Sequence, residues 1–302
     1  MDKNCINHGE HGELVAALLV MQARDALVKD SNQRWVYVCE FLETLLGASV
    51  LTATTKPSMA YSGEAERSLT DTFKDARMWF NHVIKIRKSH LINVQHLWKF
   101  ITRGAMVLCA NNQPGVDIIL PVCYSGNVLS RRTVTAILIQ VKNDTTFGRD
   151  IHGYLFDAMD PFKVNLFSKK DKPLPIIRMV FALASKGAVK YVLPPRTTRQ
   201  SKHPGKYTSY DIRCAKISRK TFPIIRGDEI TPYQQLLNRT RFPGQEYAVG
   251  KIHEVEYPSD VEEGKIGLLR SFDALVEGGE HRKRKGKSRQ KGKKRAGGST
   301  AA

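Results

Sequence analysis

Residues 105–142 hold three apolar runs, at 105–110, 116–123 and 133–142, the last two rich in β-branched side chains. The links between them are short and dense in turn residues: Asn111-Asn112-Gln113-Pro114-Gly115, then a segment containing Ser125-Gly126-Asn127. Parallel neighbours need a crossover of a dozen residues or more, so links this short make the three strands an antiparallel meander. Any fold for this chain must be built around that ribbon.

The flanks supply the rest of the architecture. Apolar residues from Gly12 to Leu27 crowd nearly all sides of a helix, which suits burial against a sheet. A second helix is expected over 37–46, an irregular insertion over 48–63, and a third helix over 91–101 closed by Arg103-Gly104. Residues 73–86 fit a helix or a strand equally well. A short helix near 151–159 and a strand at 176–183 follow, with peripheral elements at 211–225 and 233–237. The order helix, insertion, three strands, helix, strand predicts an α+β or α/β core: a central mixed sheet with the meander flanked by helices. The expected organisation is a flexible N-terminus at 1–11, a globular domain at 12–277 with an insertion near 48–101, and a disordered basic tail at 278–302. That tail has no apolar groups able to offset its ordering entropy.

Charge narrows the partners. The chain of 302 residues carries 48 basic and 29 acidic side chains, and ten of the basic ones fall between Arg282 and Arg295. Without those ten, 38 basic against 29 acidic groups leave +9 of the full +19. The tail, with Arg282, Lys283, Arg284 and Lys285 at its head, fits a nuclear import signal or a non-specific clamp on a polyanion. A merely solubilising tail is the plainer alternative. A second basic stretch holds Arg196, Arg199, Lys202 and Lys206, with Tyr207 and Tyr210 beside it to stack a base, unless it is only solvated surface. The longest apolar run near the N-terminus, 14–21, is eight residues, and Glu10 and Glu13 precede it. That excludes a bilayer span or a secretory signal there, and the expectation is a soluble intracellular chain without membrane contact. Cys5, Cys39, Cys109, Cys123 and Cys214 are odd in number and far apart, which reads as buried free thiols in a reducing compartment. His8 and His11 lie in a polar stretch and read as solvated. No His-x-x-x-His pair and no glycine-rich phosphate loop is present.

One constellation carries chemistry. Asp117 opens the second strand of the meander, and Gln140-Val141-Lys142 ends the third. With a period of two, Gln140 and Lys142 project from one face while Val141 points away. An amide and an ammonium at the end of an apolar strand need compensation, and a carboxylate at the start of the antiparallel neighbour lies within reach. A hard cation such as Mg²⁺ or Mn²⁺ takes oxygen ligands, which Asp117, the Gln140 carbonyl and a backbone carbonyl can supply. Lys142 is then placed to hold an attacking water or to stabilise charge on a reacting phosphate. Against this stands a purely structural reading, in which Asp117 makes a turn hydrogen bond to Asn112 or Gln113 and Gln140 caps its strand.

Val116-Asp117 followed by Gln140-x-Lys142 resembles the core of the PD-(D/E)XK, restriction-endonuclease-like, nuclease superfamily, across roughly residues 13–185. The Asn112-Gln113-x-Gly115-x-Asp117 turn before Gln140-x-Lys142 is also similar to an expanded group of basidiomycete fungal proteins. The superfamily resemblance implies a helix, three antiparallel strands, a helix and a strand, with metal-dependent cleavage of DNA; the nucleus is expected from the basic tail. It further implies Asp117 and Gln140 as metal ligands and Lys142 beside the water. A glutamate on the first core helix is also implied: Glu13, with Glu40 and Glu43 as alternatives. Val116 stands where the motif has proline, and Gln140 stands where it has an acid, which removes one negative charge from the site. A non-catalytic nucleic-acid-binding derivative, of mobile-element or host–parasite-conflict origin, is the competing expectation.

Overall fold

The computed structural model describes residues 8–29, 33–111, 113–124, 129–148, 153–168, 170, 172–187, 189–193 and 205–238. All belong to one unit, Met1–Phe242; a second, Pro243–Ala302, lies outside the described residues. The loop with Arg196, Arg199 and Lys202, the tail with Arg282, Lys283, Arg284 and Lys285, and the expected boundary at 277/278 also fall outside them.

Helix α1, His8–Leu27, is rich in Leu, Ala and Val and buries Val15, Leu19, Val20 and Ala23 completely. It begins four residues before the expected Gly12, because residues 8–11 already pack: His11 is 1% exposed, not solvated as the sequence predicted. Strand β1, Val36–Tyr37, leads into α2, Val38–Leu46, whose Val38, Phe41, Leu42, Leu45 and Leu46 make one buried stripe. Instead of an irregular insertion, residues 48–53 form α3, Ala48–Ala53, and α4, Leu69–Phe73, follows, capped by Ser68 Oγ accepting from Asp71 N–H at 3.0 Å. The ambiguous stretch resolves into β2, Arg77–Met78, and β3, His82–Lys85. Helix α5, Val94–Thr102, starts at Asn93, whose side chain accepts from His96 N–H. The meander is β4, Ala105–Leu108, β5, Ile118–Cys123, and β6, Val134–Lys142. Then come α6, Gly153–Ala158, β7, Ile176–Ala182, β8, Val189–Val192, β9, Ser209–Ala215, and α7, Ile230–Asn238.

The protein is mixed α+β. Its nine described strands form one mixed sheet in the order β1-β2-β5-β6-β7-β9-β8, with β4 also on β5 and β3 on β4. The β4–β5 and β5–β6 pairs are antiparallel; β6, β7 and β9 run parallel, as do β3 and β4. Residues 48–101 are built into this sheet, since β2 pairs with β5 and β3 with β4.

The two faces differ in chemistry. On one, Ile137, Ile139, Val141, Ile177, Met179, Phe181, Ile212 and Cys214 join α1 and α2 in the main core. On the other, Arg178 of β7 and Asp211 of β9 form a fully buried ion pair. Arg178 Nε and Nη2 donate to the two Asp211 oxygens at 2.7 and 2.6 Å, and Nη2 also donates to Ser209 Oγ at 2.9 Å. Nη1 donates to Phe156 O and Tyr207 Oη, both at 2.9 Å, so all five guanidinium donors are used. Tyr207 and Tyr210 are 1% and 0% exposed, so neither stacks a base as the sequence predicted; Lys206 alone of that basic stretch is described, and it is exposed.

Candidate functional site

Strand β6 is longer than its antiparallel neighbour at one end. Its pairing with β5 stops at Ile118↔Ile139, whereas its pairing with β7 continues through Gln140↔Val180 and Val141↔Phe181 to Lys142↔Ala182. Gln140, Val141 and Lys142 therefore border a notch, open on the side where β5 has already turned away. Asp117 closes the top of that notch. Its N–H donates to Ile139 O at 2.9 Å, and its Oδ2 accepts the Val141 N–H at 2.6 Å. A side-chain oxygen thus stands in for the backbone carbonyl that a longer β5 would offer. Among the described residues this bond across the strands stands in place of the expected turn bond to Gln113; Asn112 lies outside them.

Two close approaches hold the surroundings. An added Cβ at Gly12 would stand 2.9 Å from Asn143 Cβ and 3.1 Å from Val141 Cγ1, so glycine lets α1 lie against the end of β6. Glu13, the next residue, is near enough to Asp117 for their charges to interact. Asn111 Nδ2 donates to Glu10 Oε1 at 3.2 Å and ties the turn before β5 to the same helix. Gly115 has φ +89°, and a Cβ there would lie 2.3 Å from Ala158 O at the end of α6.

The electrostatics identify the groups that feel one another. Burial raises the Glu13 carboxyl from 4.5 to about 7, helped by the charges of Asp117 and Glu10 and opposed by Lys85. Burial likewise raises Asp117, while the Val141 N–H bond and the Lys142 charge pull it down. Glu13 is thus the helix glutamate that joins Asp117; Glu40 and Glu43 are exposed on α2. Lys142 is half-buried, its ammonium 5.4 Å from the centre of the Phe147 ring, and Phe147 O accepts from Arg213 Nη2 at 2.6 Å. Gln140 is 6% exposed, and its Oε1 has no hydrogen-bond partner among the described residues. An unpaired buried carbonyl oxygen costs about 1–3 kcal/mol, which a cation or a donor from a ligand removes.

Sequence reasoning did not single out Lys85, and it read Cys109, beside Asp117, only as a buried free thiol, which it is. Lys85 Nζ lies 3.8 Å from Glu13 Oε2. It ends β3, whose four residues were hidden in the ambiguous segment; the Val83-Ile84 pair was the one signal of a strand there. The Cys109 N–H donates to Asp117 O at 2.8 Å. Burial, then the charges of Asp117 and Glu13, push its thiol well above 9.0, so it remains a neutral thiol.

Among the described residues, no three His, Cys, Asp or Glu side chains gather as a metal-binding group. The candidate donors at this end of β6 are instead the Glu13 and Asp117 carboxylates, whose charges interact, and the Gln140 amide oxygen, on the strand face turned away from Val141 and α1. Such an all-oxygen set suits a hard, partly hydrated cation such as Mg²⁺ or Mn²⁺ and is unsuited to zinc. No protein-family model, curated protein or solved structure matches the chain. No helix among the described residues is long and apolar enough to cross a membrane.

Proposed function

We propose that the chain is a metal-dependent phosphodiester hydrolase of the restriction-endonuclease-like kind, acting on DNA. The observation that carries this reading is the charge coupling of Asp117 to Glu13 and to Lys142 where β5 and β6 part, with the unpaired Gln140 Oε1 at the same end of β6. Glu13, Asp117 and Gln140 would hold Mg²⁺ or Mn²⁺. When bound, the cation polarises the scissile phosphate and lowers the pKa of a water. The rest falls to the chain itself. Lys142 orients the attacking water and balances the negative charge that develops on phosphorus. The Phe147 ring shields one side of that ammonium and limits its motion, which favours attack from a single direction. Lys85 offsets part of the repulsion between Glu13 and Asp117, so that the two carboxyls can share one small space.

Supercoiled plasmid incubated with the full chain and Mg²⁺ tests this reading. Cleavage by the unaltered chain, reduced at least 100-fold by Asp117→Asn and by Lys142→Ala and absent in EDTA, is the expected result. Unchanged cleavage in both variants, or none by the unaltered chain with either cation, contradicts it. A non-catalytic nucleic-acid-binding protein is the second reading. It is favoured by the bond between Asp117 and Val141 N–H, a structural duty that survives without chemistry. DNA affinity without cleavage is its signature. Nuclear import through Arg282, Lys283, Arg284 and Lys285 is also proposed, and a fluorescent fusion with and without residues 278–302 tests it by its distribution in the cell.

A further inference from the structure

A basic groove lies at the opposite end of β6 from the notch. Its cavity is about 840 Å³, and its lining includes Arg131, Arg132, Lys170 and Lys172 together with Asn93 and Gln95 at the start of α5. No acidic residue is among the described lining residues. The four cations are exposed, and Arg131, Arg132 and Lys170 form no ion pair with any described residue. Arg131 is steadied instead by the Trp98 ring, 6.0 Å from its guanidinium carbon. Lys172 alone is paired, with Glu64 at 2.7 Å.

The chemistry of this lining selects a phosphate polymer. Two adjacent guanidinium forks match phosphate oxygens, two lysines add point charges, and Gln95 is a neutral donor at the positive end of a nine-residue helix. Exposed cations along an open groove suit a ligand that brings several charges at once. A single small anion would need a tighter, buried cradle. Geometry ties the groove to the notch. Val134 lines the groove, and Gln140 and Lys142 stand on the same face of the same strand, six and eight residues further on. Eight steps at roughly 3.3 Å span about 26 Å, the length of about eight base pairs at 3.4 Å each.

We infer that this groove receives the sugar–phosphate backbone of duplex DNA about eight base pairs from the bond held at the notch. The inference rests on the phosphodiester reading for its second contact point. The groove is thus a register-setting contact that supplies affinity without sequence discrimination.

The test is binding of a labelled 30-base-pair duplex by the full chain in EDTA, followed by fluorescence anisotropy across a salt series. The unaltered chain is compared with Arg131→Gln/Arg132→Gln and, independently, Lys170→Gln/Lys172→Gln, with thermal melts to verify folding. Each pair is expected to weaken binding about tenfold and to lower the slope of log K against log salt by about 2, at an unchanged melting temperature. Affinity and slope equal to the unaltered chain in both pairs overturn the inference, and plasmid cleavage by that same chain would then leave the hydrolase reading intact. Loss of binding in the pairs without any cleavage keeps the groove and removes the hydrolase. A chain that neither binds nor cleaves DNA removes both. Polyglutamate displacing the duplex at equal charge concentration assigns the groove to an acidic protein and overturns the DNA partner.

Discussion

Asp117 does two things that different substitutions separate. Its carboxylate accepts the Val141 N–H, and it shares the notch with Glu13. Asp117→Asn keeps an acceptor for that N–H, so thermal stability should stay within about 1 kcal/mol of the unaltered chain while any cation-dependent activity is lost. Asp117→Ala leaves the N–H without its partner and should cost about 1–3 kcal/mol in a urea melt as well. Glu13 makes a prediction in pH. Its carboxyl is raised from 4.5 to about 7 in the folded chain, so between those values the folded state holds a proton that the unfolded chain has released. Stability contributed by that proton is full below pH 4.5 and is lost as pH rises through 7, by at most about 3 kcal/mol. Glu13→Gln should flatten that fall in melts taken from pH 4.5 to 8; an identical pH profile in the variant would contradict the assignment. Asp117, Gln140 and Lys142 could be grouped from sequence because a strand alternates faces with period two and turns polar abruptly at its end. Lys85 could not, because four apolar-flanked residues carry no period long enough to choose strand over helix.

At the level of elements, the meander was legible because its short links forbid a crossover. The positions of β2 and β3 were not, since two- and four-residue strands owe their conformation to partners distant in sequence: Arg77 to Cys123, and His82 to Ala105. The start of α1 was misplaced for a related reason. Polar residues 8–11 look like a free end in the sequence, and only the folded structure shows His11 buried. The turn before β5 is the most sequence-specific of the connections. Gly115→Ala forces a side chain into a left-handed conformation and against Ala158 O, and should cost about 2–4 kcal/mol by urea melt. Across the parallel half of the sheet, Arg178 and Asp211 join β7 to β9 in a site with no water contact. Removing one partner by Asp211→Ala should cost about 3–5 kcal/mol, because it strands a buried guanidinium. Replacing both by apolar residues of similar volume should cost much less.

For the whole molecule, the distribution of charge decides how it meets a polyanion. On the proposed DNA reading, ten cations between Arg282 and Arg295 would add non-specific attraction that falls steeply with salt, whereas the groove at Arg131 and Arg132 has a fixed place on the fold. Deleting residues 278–302 should weaken DNA binding at low salt and reduce the salt slope by up to about 9, with little change in the melting of the sheet. The central claim is narrower than either charge effect: the notch at the end of β6 is a cation pocket made by Glu13, Asp117 and Gln140. Calorimetric titration of Mn²⁺ into the full chain at pH 8 addresses it directly. One saturable ion is expected, lost in Glu13→Gln/Asp117→Asn and weakened at least tenfold in Gln140→Leu, each variant melting as a folded protein. A titration curve that is flat for the unaltered chain, or the same in all three proteins, would contradict it.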